Sequence, residues 1–131
     1  MATELTALSD QEVIERASGR AGVHARWTAT DELARRALER EDLLDAVCAT
    51  IGRDRAIGAR YIPYGTYMAV GRILDSGNER AIRRLLREMD GWTAVEQSDA
   101  IGPWAGYRRV AEASRDLVAR YGWSPKYIEG A

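Results

Sequence analysis

The sequence predicts an all-α fold: a single compact domain of five to six helices with irregular connections. Three observations carry that expectation. Apolar residues recur at steps of three and four in each long segment, which is the helical period. No window sustains a two-residue alternation, and β-branched residues do not cluster as strands require. Capping residues and prolines fall at the boundaries of the periodic segments. Each segment has one apolar face, so the helices must bury those faces against a shared core.

Residues 1–8 read as a loose lead-in. Ser9-Asp10-Gln11-Glu12 has the form of a capping box, in which Ser caps the helix and an acid three residues on reaches back. It opens a short helix over 10–18 with Val13, Ile14 and Ala17 inward. Gly19 ends it, and Gly22 and His24 fall in the following loop. Thr28 or Thr30 caps a long second helix over 31–51, whose inward positions are Leu33, Ala34, Ala37, Leu38, Leu44, Val47, Cys48 and Ile51. Asp31 with Arg35 and Glu32 with Arg36 stand four apart and pair favourably on its outer face. Gly52 stops it, a third helix covers 54–62, and Pro63 breaks that one.

A fourth helix over 65–75 carries Met68, Val70, Ile73 and Leu74. Ser76-Gly77 closes it and Asn78 caps a fifth helix over 79–90. Here Ile82, Leu85, Leu86 and Met89 form one stripe, and Arg80, Arg83, Arg84 and Arg87 form the opposite one. Gly91 ends it. Residues 92–102 read as irregular, and a last helix spans 104–121 after Gly102-Pro103. Gly122-Trp123 fits a helix end in which the residue after glycine packs back on the last turn. Residues 124–131 read as a loose tail.

Composition narrows the function classes. The chain has 131 residues, one Cys and one His. One Cys cannot form an internal disulfide, and one Cys with one His cannot supply the four ligands of a structural zinc site. No apolar run approaches the ~20 residues that span a bilayer, so no membrane partner is expected and the natural address is the cytoplasm. The lead-in has no basic region followed by an apolar one, unlike a signal peptide. The net charge is −1 but unevenly spread. Residues 1–50 carry −4, residues 53–87 carry +5 and residues 88–131 carry −2. A basic middle between acidic ends suits internal pairing, a partner surface or head-to-tail self-association. Lys126 is the lone lysine among 19 basic residues; the arginine excess fits either codon bias or forked contacts to carboxylate and phosphate.

The arginine stripe of the fifth helix is the sharpest feature. Four guanidinium groups that close repel one another and require either local acids or an anionic partner. The segment is not a helix-turn-helix, because the positions three and six after Gly77 are Arg80 and Arg83, where that motif needs apolar residues. Upstream, Tyr61, Tyr64 and Tyr67 surround Pro63 with Arg60 nearby, a set suited to stacking a flat ligand or to packing a helix junction. Trp92, Trp104 and Trp123 cluster in the last third, a set suited to filling the core or to anchoring an interface, where Trp, Tyr and Arg carry most binding energy.

Glu12 and Glu15 stand one turn apart, as do Asp42 and Asp45. Paired acids on facing helices are one way a helical protein holds Mg²⁺. Over about a quarter of the chain this arrangement resembles the all-α NTP pyrophosphohydrolases of the MazG type. That resemblance implies Glu12, Glu15, Asp42 and Asp45 as metal ligands, although Asp42 stands where the family has Glu. Neither the G-x-G-x-x-G, P-loop, G-x-S-x-G nor H-E-x-x-H pattern occurs, and His24 has no evident nucleophile beside it.

The first expectation is a non-catalytic helical interaction or assembly subunit, needing no cofactor, that meets a protein partner or itself. Its surfaces would be the Arg80/Arg83/Arg84/Arg87 stripe and the aromatic C-terminal third. The second is a sequence-independent nucleic-acid binder that adds Arg53, Arg55, Arg60 and the tyrosines. The third is the Mg²⁺-dependent enzyme.

Overall fold

A computed structural model describes residues 5–18, 23–57, 64–101 and 116–126. In chain order the helices are α1 (Asp10–Ser18), α2 (Val23–Glu39), α3 (Leu44–Ile57), α4 (Tyr64–Asp75), α5 (Glu79–Met89) and α6 (Ala94–Ile101). Short 3-10 turns cover Leu5–Ala7 and Glu41–Leu43, and residues 116–119 are helical. No strand occurs among the described residues, so the fold is all-α.

Helix α2 is the centre, packed on by α1, α3 and α4. Its inward positions are mostly small (Ala29, Ala34 and Ala37 around Leu33), and small side chains let neighbouring helix axes approach closely. Helix α5 closes the domain against α3 and α4, and α6 lies on α4. One core runs through all of them, from Val13 on α1 to Val47 and Ile51 on α3, Ile73 on α4, Leu85 on α5 and Ile101 on α6. Cys48 sits in it, and burial pushes its thiol up to about 11, which leaves it protonated and unreactive at neutral pH.

Several helix ends follow the expected chemistry. The Ser9 hydroxyl accepts from the Glu12 amide at 3.2 Å while Glu12 Oε1 accepts from the Ser9 amide at 3.1 Å. Asn78 accepts from the Ala81 amide at 3.1 Å, and its own Nδ2 donates to the Leu38 carbonyl at 3.1 Å, tying the start of α5 to the end of α2. Gly77 (φ 73) and Gly122 (φ 74) hold left-handed turns that a side chain would strain. At Gly122 the Trp123 amide returns to the Val118 carbonyl at 3.1 Å and the Gly122 amide to Ala119 at 2.9 Å, the paired closure of a Schellman motif.

Other boundaries differ from expectation. The helix expected over 31–51 is two helices. Arg40 is extended (φ −135, ψ 104), and Glu41–Leu43 forms a 3-10 turn before α3 starts. Helix α2 begins at Val23, so His24 lies in its first turn, and Thr28 and Thr30 lie inside the helix rather than capping it. Helix α3 continues through Gly52, where a Cβ would come 2.6 Å from Glu88 Oε2. The glycine is there to admit the Glu88 side chain from α5. The stretch 92–102 contains α6, opened by a second capping box: the Thr93 amide donates to Glu96 at 2.8 Å and the Glu96 amide to the Thr93 hydroxyl at 3.2 Å. Of the helix expected over 104–121, residues 104–115 lie outside the described residues. The described ends of the lead-in and tail, Leu5 and Lys126, are each tied to the fold. The Leu5 carbonyl accepts from Arg36 at 2.7 Å, and the Lys126 amide donates to Gln97 Oε1 at 2.7 Å.

Candidate protein-interaction surface

The arginine stripe lies on the outer side of α5, because Ile82, Leu85, Leu86 and Met89 are drawn into the core. Its four members have different fates. Arg80 pairs with Glu41. Arg84 Nε donates to Asp45 at 2.8 Å, and its Nη1 reaches Glu88 at 3.5 Å. Residues four apart on α5 thus meet residues four apart on the 3-10 turn and α3, in the same chain direction. The Asp45 hydrogen bond is the main cause of the raised Arg84 pKa. Arg83 bonds Glu79 at 3.0 Å and lies 5.2 Å over the ring of Tyr121, within cation–π range. Arg87 is exposed, and no carboxylate among the described residues lies within ion-pair distance of it.

A groove of about 390 Å³ runs between α5 and the C-terminal segment, lined by Arg83, Leu86, Arg87, Asp90, Tyr121 and Trp123. Trp123 is half-buried, and its indole N–H donates to Asp90 at 2.8 Å. The Schellman turn at Gly122 sets the two aromatic residues beside the arginines. The strap beyond is pinned by Gln97 and by Lys126 Nζ, which donates to the Trp92 carbonyl at 2.8 Å.

The remaining predicted residues divide. Trp92 is 1% exposed and belongs to the core rather than to an interface, which decides between the two readings its sequence position left open. It stands in the turn between α5 and α6. Arg53, offered for nucleic acid, donates to the Ala17 carbonyl at the end of α1 at 2.9 Å. Tyr64 and Tyr67 lie in the opening turns of α4, but their side chains, like that of Arg55, are outside the described residues. Arg60, Tyr61 and Trp104 also lie outside the described residues.

The four carboxylates of the metal reading are separately employed. Glu12 is engaged in the Ser9 capping box, and the Ser9 backbone N–H is the main cause of its lowered pKa. Glu15 accepts from Gln11 at 3.4 Å, Asp42 from Arg40 at 3.2 Å and Asp45 from Arg84. No group of three or more His, Cys, Asp or Glu among the described residues is placed to hold a metal ion.

The polar cluster that sequence reasoning missed lies between α1 and α2. Arg36, expected on the outer face, is 9% exposed. It donates to Glu32 at 2.6 Å, to Asp10 at 2.9 Å and to the Leu5 carbonyl at 2.7 Å. Arg35 adds two bonds of 2.8 Å to Glu32, and Arg40 pairs with Asp10. Asp31, expected to pair with Arg35, instead binds Arg72 on α4 through both oxygens at 2.8 and 3.0 Å. These contacts fasten α1 and α4 to α2.

Comparison with protein-family models, curated proteins and solved structures finds no match. Among the described residues no helix is long and apolar enough to cross a membrane.

Proposed function

We propose that this chain is a non-catalytic helical interaction module whose working surface is the groove between α5 and the C-terminal segment. The observation that carries the reading is Arg87, exposed and with no carboxylate among the described residues at ion-pair distance, in a groove shared with Arg83, Asp90, Tyr121 and Trp123. Arg, Tyr and Trp are the residues that carry most binding energy at protein interfaces. The Trp123 ring, held by Asp90, and the Tyr121 ring under Arg83 are ordered before a partner arrives and so cost little on binding, whereas exposed Arg87 gives up side-chain freedom. Arg80 and Arg84 already face carboxylates, so the stripe offers a polyanion less than its four charges suggest.

The test is site-specific photo-crosslinking in the native cells, with a benzophenone amino acid at Ser124, exposed beside Trp123 so that Arg87 is kept, and a control at Glu15 on α1. A discrete protein adduct from position 124 and none from position 15 supports the proposal. A nuclease-sensitive adduct, or none at all, overturns it.

A further inference from the structure

We infer that the groove face of α5 pairs with its own copy about a two-fold axis, so that Arg87 of each chain meets Asp90 of the other. This rests on the proposed function and names the partner as a second copy of this chain. Glu79, Arg83, Arg87 and Asp90 follow one another along α5 at steps of three and four, and all four are exposed. Glu79 and Arg83 are already bonded to each other at 3.0 Å. Asp90 accepts from the Trp123 indole through Oδ1 at 2.8 Å, and its Oδ2 takes no bond among the described residues. Arg87 and Asp90 do not come within ion-pair distance of each other in the chain. The face therefore carries two arginines and two carboxylates, and a strongly charged partner of either sign is opposed by half of it.

Such a face is complementary to itself. In a two-fold contact one residue meets a second while the second meets the first, so one guanidinium and one open carboxylate oxygen make two reciprocal ion pairs. The axis falls between Arg87 and Asp90, with the two α5 helices antiparallel. The other axis that joins opposite charges, Arg87 to Glu79, is centred on Arg83 and sets the two Arg83 side chains against each other. Gly91 favours close approach at the first axis. It is exposed four residues after Arg87, and a Cβ there would meet only the Glu88 carbonyl, at 3.9 Å, so the space beside it is not taken by the described residues of the chain. Tyr121 and Trp123 line the same groove and flank the pairs with apolar surface that association removes from water.

The test is sedimentation equilibrium of the full chain over a wide range of concentration, with the thermal midpoint of each variant read alongside. The expected result is a reversible dimer whose dissociation constant rises at least about tenfold in Arg87→Glu, where like charges face each other in both pairs. Asp90→Arg should weaken it in the same way. Mixed in equal amounts, Arg87→Glu and Asp90→Arg should form a heterodimer, because both pairs then join opposite charges again. Gly91→Gln places a side chain in the gap at a position without a left-handed backbone, and it should weaken the dimer while leaving the fold intact. A chain that stays monomeric at every concentration overturns the inference, as does a dimer indifferent to Arg87→Glu or to Gly91→Gln. Two folded single variants that do not associate when mixed also overturn it; if Asp90→Arg does not fold, Arg87→Glu and Gly91→Gln decide. A monomeric chain that still gives a discrete adduct with another protein from position 124 overturns this inference and leaves the proposed function standing. Absence of any adduct overturns that function whatever the sedimentation shows.

Discussion

Replacing Arg36 with Met tests whether the polar cluster between α1 and α2 holds the domain together. The guanidinium makes three hydrogen bonds, of 2.6 Å to Glu32, 2.9 Å to Asp10 and 2.7 Å to the Leu5 carbonyl. Removing one partner of a buried ion pair costs about 3–5 kcal/mol when the other is left without compensation. Here neither acid is orphaned, because Glu32 keeps both bonds to Arg35 and Asp10 keeps Arg40. The loss is then nearer the net worth of three bonds from a charged donor, and Met preserves the apolar stem. We expect Arg36→Met to destabilise by about 2–3 kcal/mol, a fall of roughly 6–12 °C in Tm for a chain of this size. The assay is urea denaturation followed by circular dichroism, repeated from neutral pH to below pH 4. The hydrogen bond from Arg36 is the main cause holding Asp10 below its ordinary range, and that from Arg35 does the same for Glu32. A carboxyl lowered in the folded state stabilises fully above its unfolded pKa of about 4 and loses that contribution as pH falls through the folded value. The wild type should therefore lose more stability than the variant on acidification, and the gap should narrow. A loss under about 0.5 kcal/mol at pH 7, or two curves that stay parallel to low pH, would refute the reasoning.

The two faces of α5 should respond in opposite ways. Leu85→Ala, at a fully buried position, should cost about 3 kcal/mol through lost burial and a cavity, whereas Arg87→Ala should stay within about 0.5 kcal/mol of wild type, both read from denaturation midpoints. Asn78→Ala removes the cap on Ala81 and the bond to Leu38, and a loss of about 1–2 kcal/mol is expected from the same measurement. Gly52→Ala should be nearly neutral, since the flexible end of Glu88 swings aside and the helix gains about 1 kcal/mol of propensity, while Gly52→Leu should cost about 1–3 kcal/mol by wedging α3 from α5. Equal thermal midpoints for the two Gly52 variants would show that α3 and α5 do not meet there.

What the sequence made legible was local. Helix α5 could be read almost to the residue because its apolar stripe, its Asn78 cap and the glycine beyond it all lie within one short window. The Ser9–Glu12 box and the Gly122–Trp123 closure were legible for the same reason. The break at Arg40 was not read, although the apolar spacing carries a signal: Leu38 to Leu44 is a step of six where helices use three or four. Helix α6 was missed despite Thr93-Ala94-Val95-Glu96, the same box form that was read at Ser9. Trp92 could not be placed because a residue in a turn has no periodicity to say which way it faces. The groove was half visible, with Arg83, Arg87 and Trp123 named. Asp90 is local to the stripe, at the end of α5 itself, whereas Tyr121 joined them only through the tertiary meeting of α5 with the C-terminal segment.

The charge segregation read from the sequence is spent largely inside the fold. Acids of the first third and arginines of the middle third meet across helices as Asp31 with Arg72, Glu41 with Arg80 and Asp45 with Arg84. One carboxylate of the suggested metal set, Asp45, and one arginine of the suggested phosphate face, Arg84, thus turn out to be each other's partners. The exposed pairs among these contribute little to stability singly, at about 0–1 kcal/mol each, but they cancel the long-range field that a run of +5 would otherwise project. At physiological salt the screening length is about 8 Å, so what remains for a partner to sense is short-ranged. Under the proposed function, recognition would rest on Arg87, which pairs with no carboxylate among the described residues, and on Tyr121 and Trp123 beside it, and a modest dependence on salt is the expected signature.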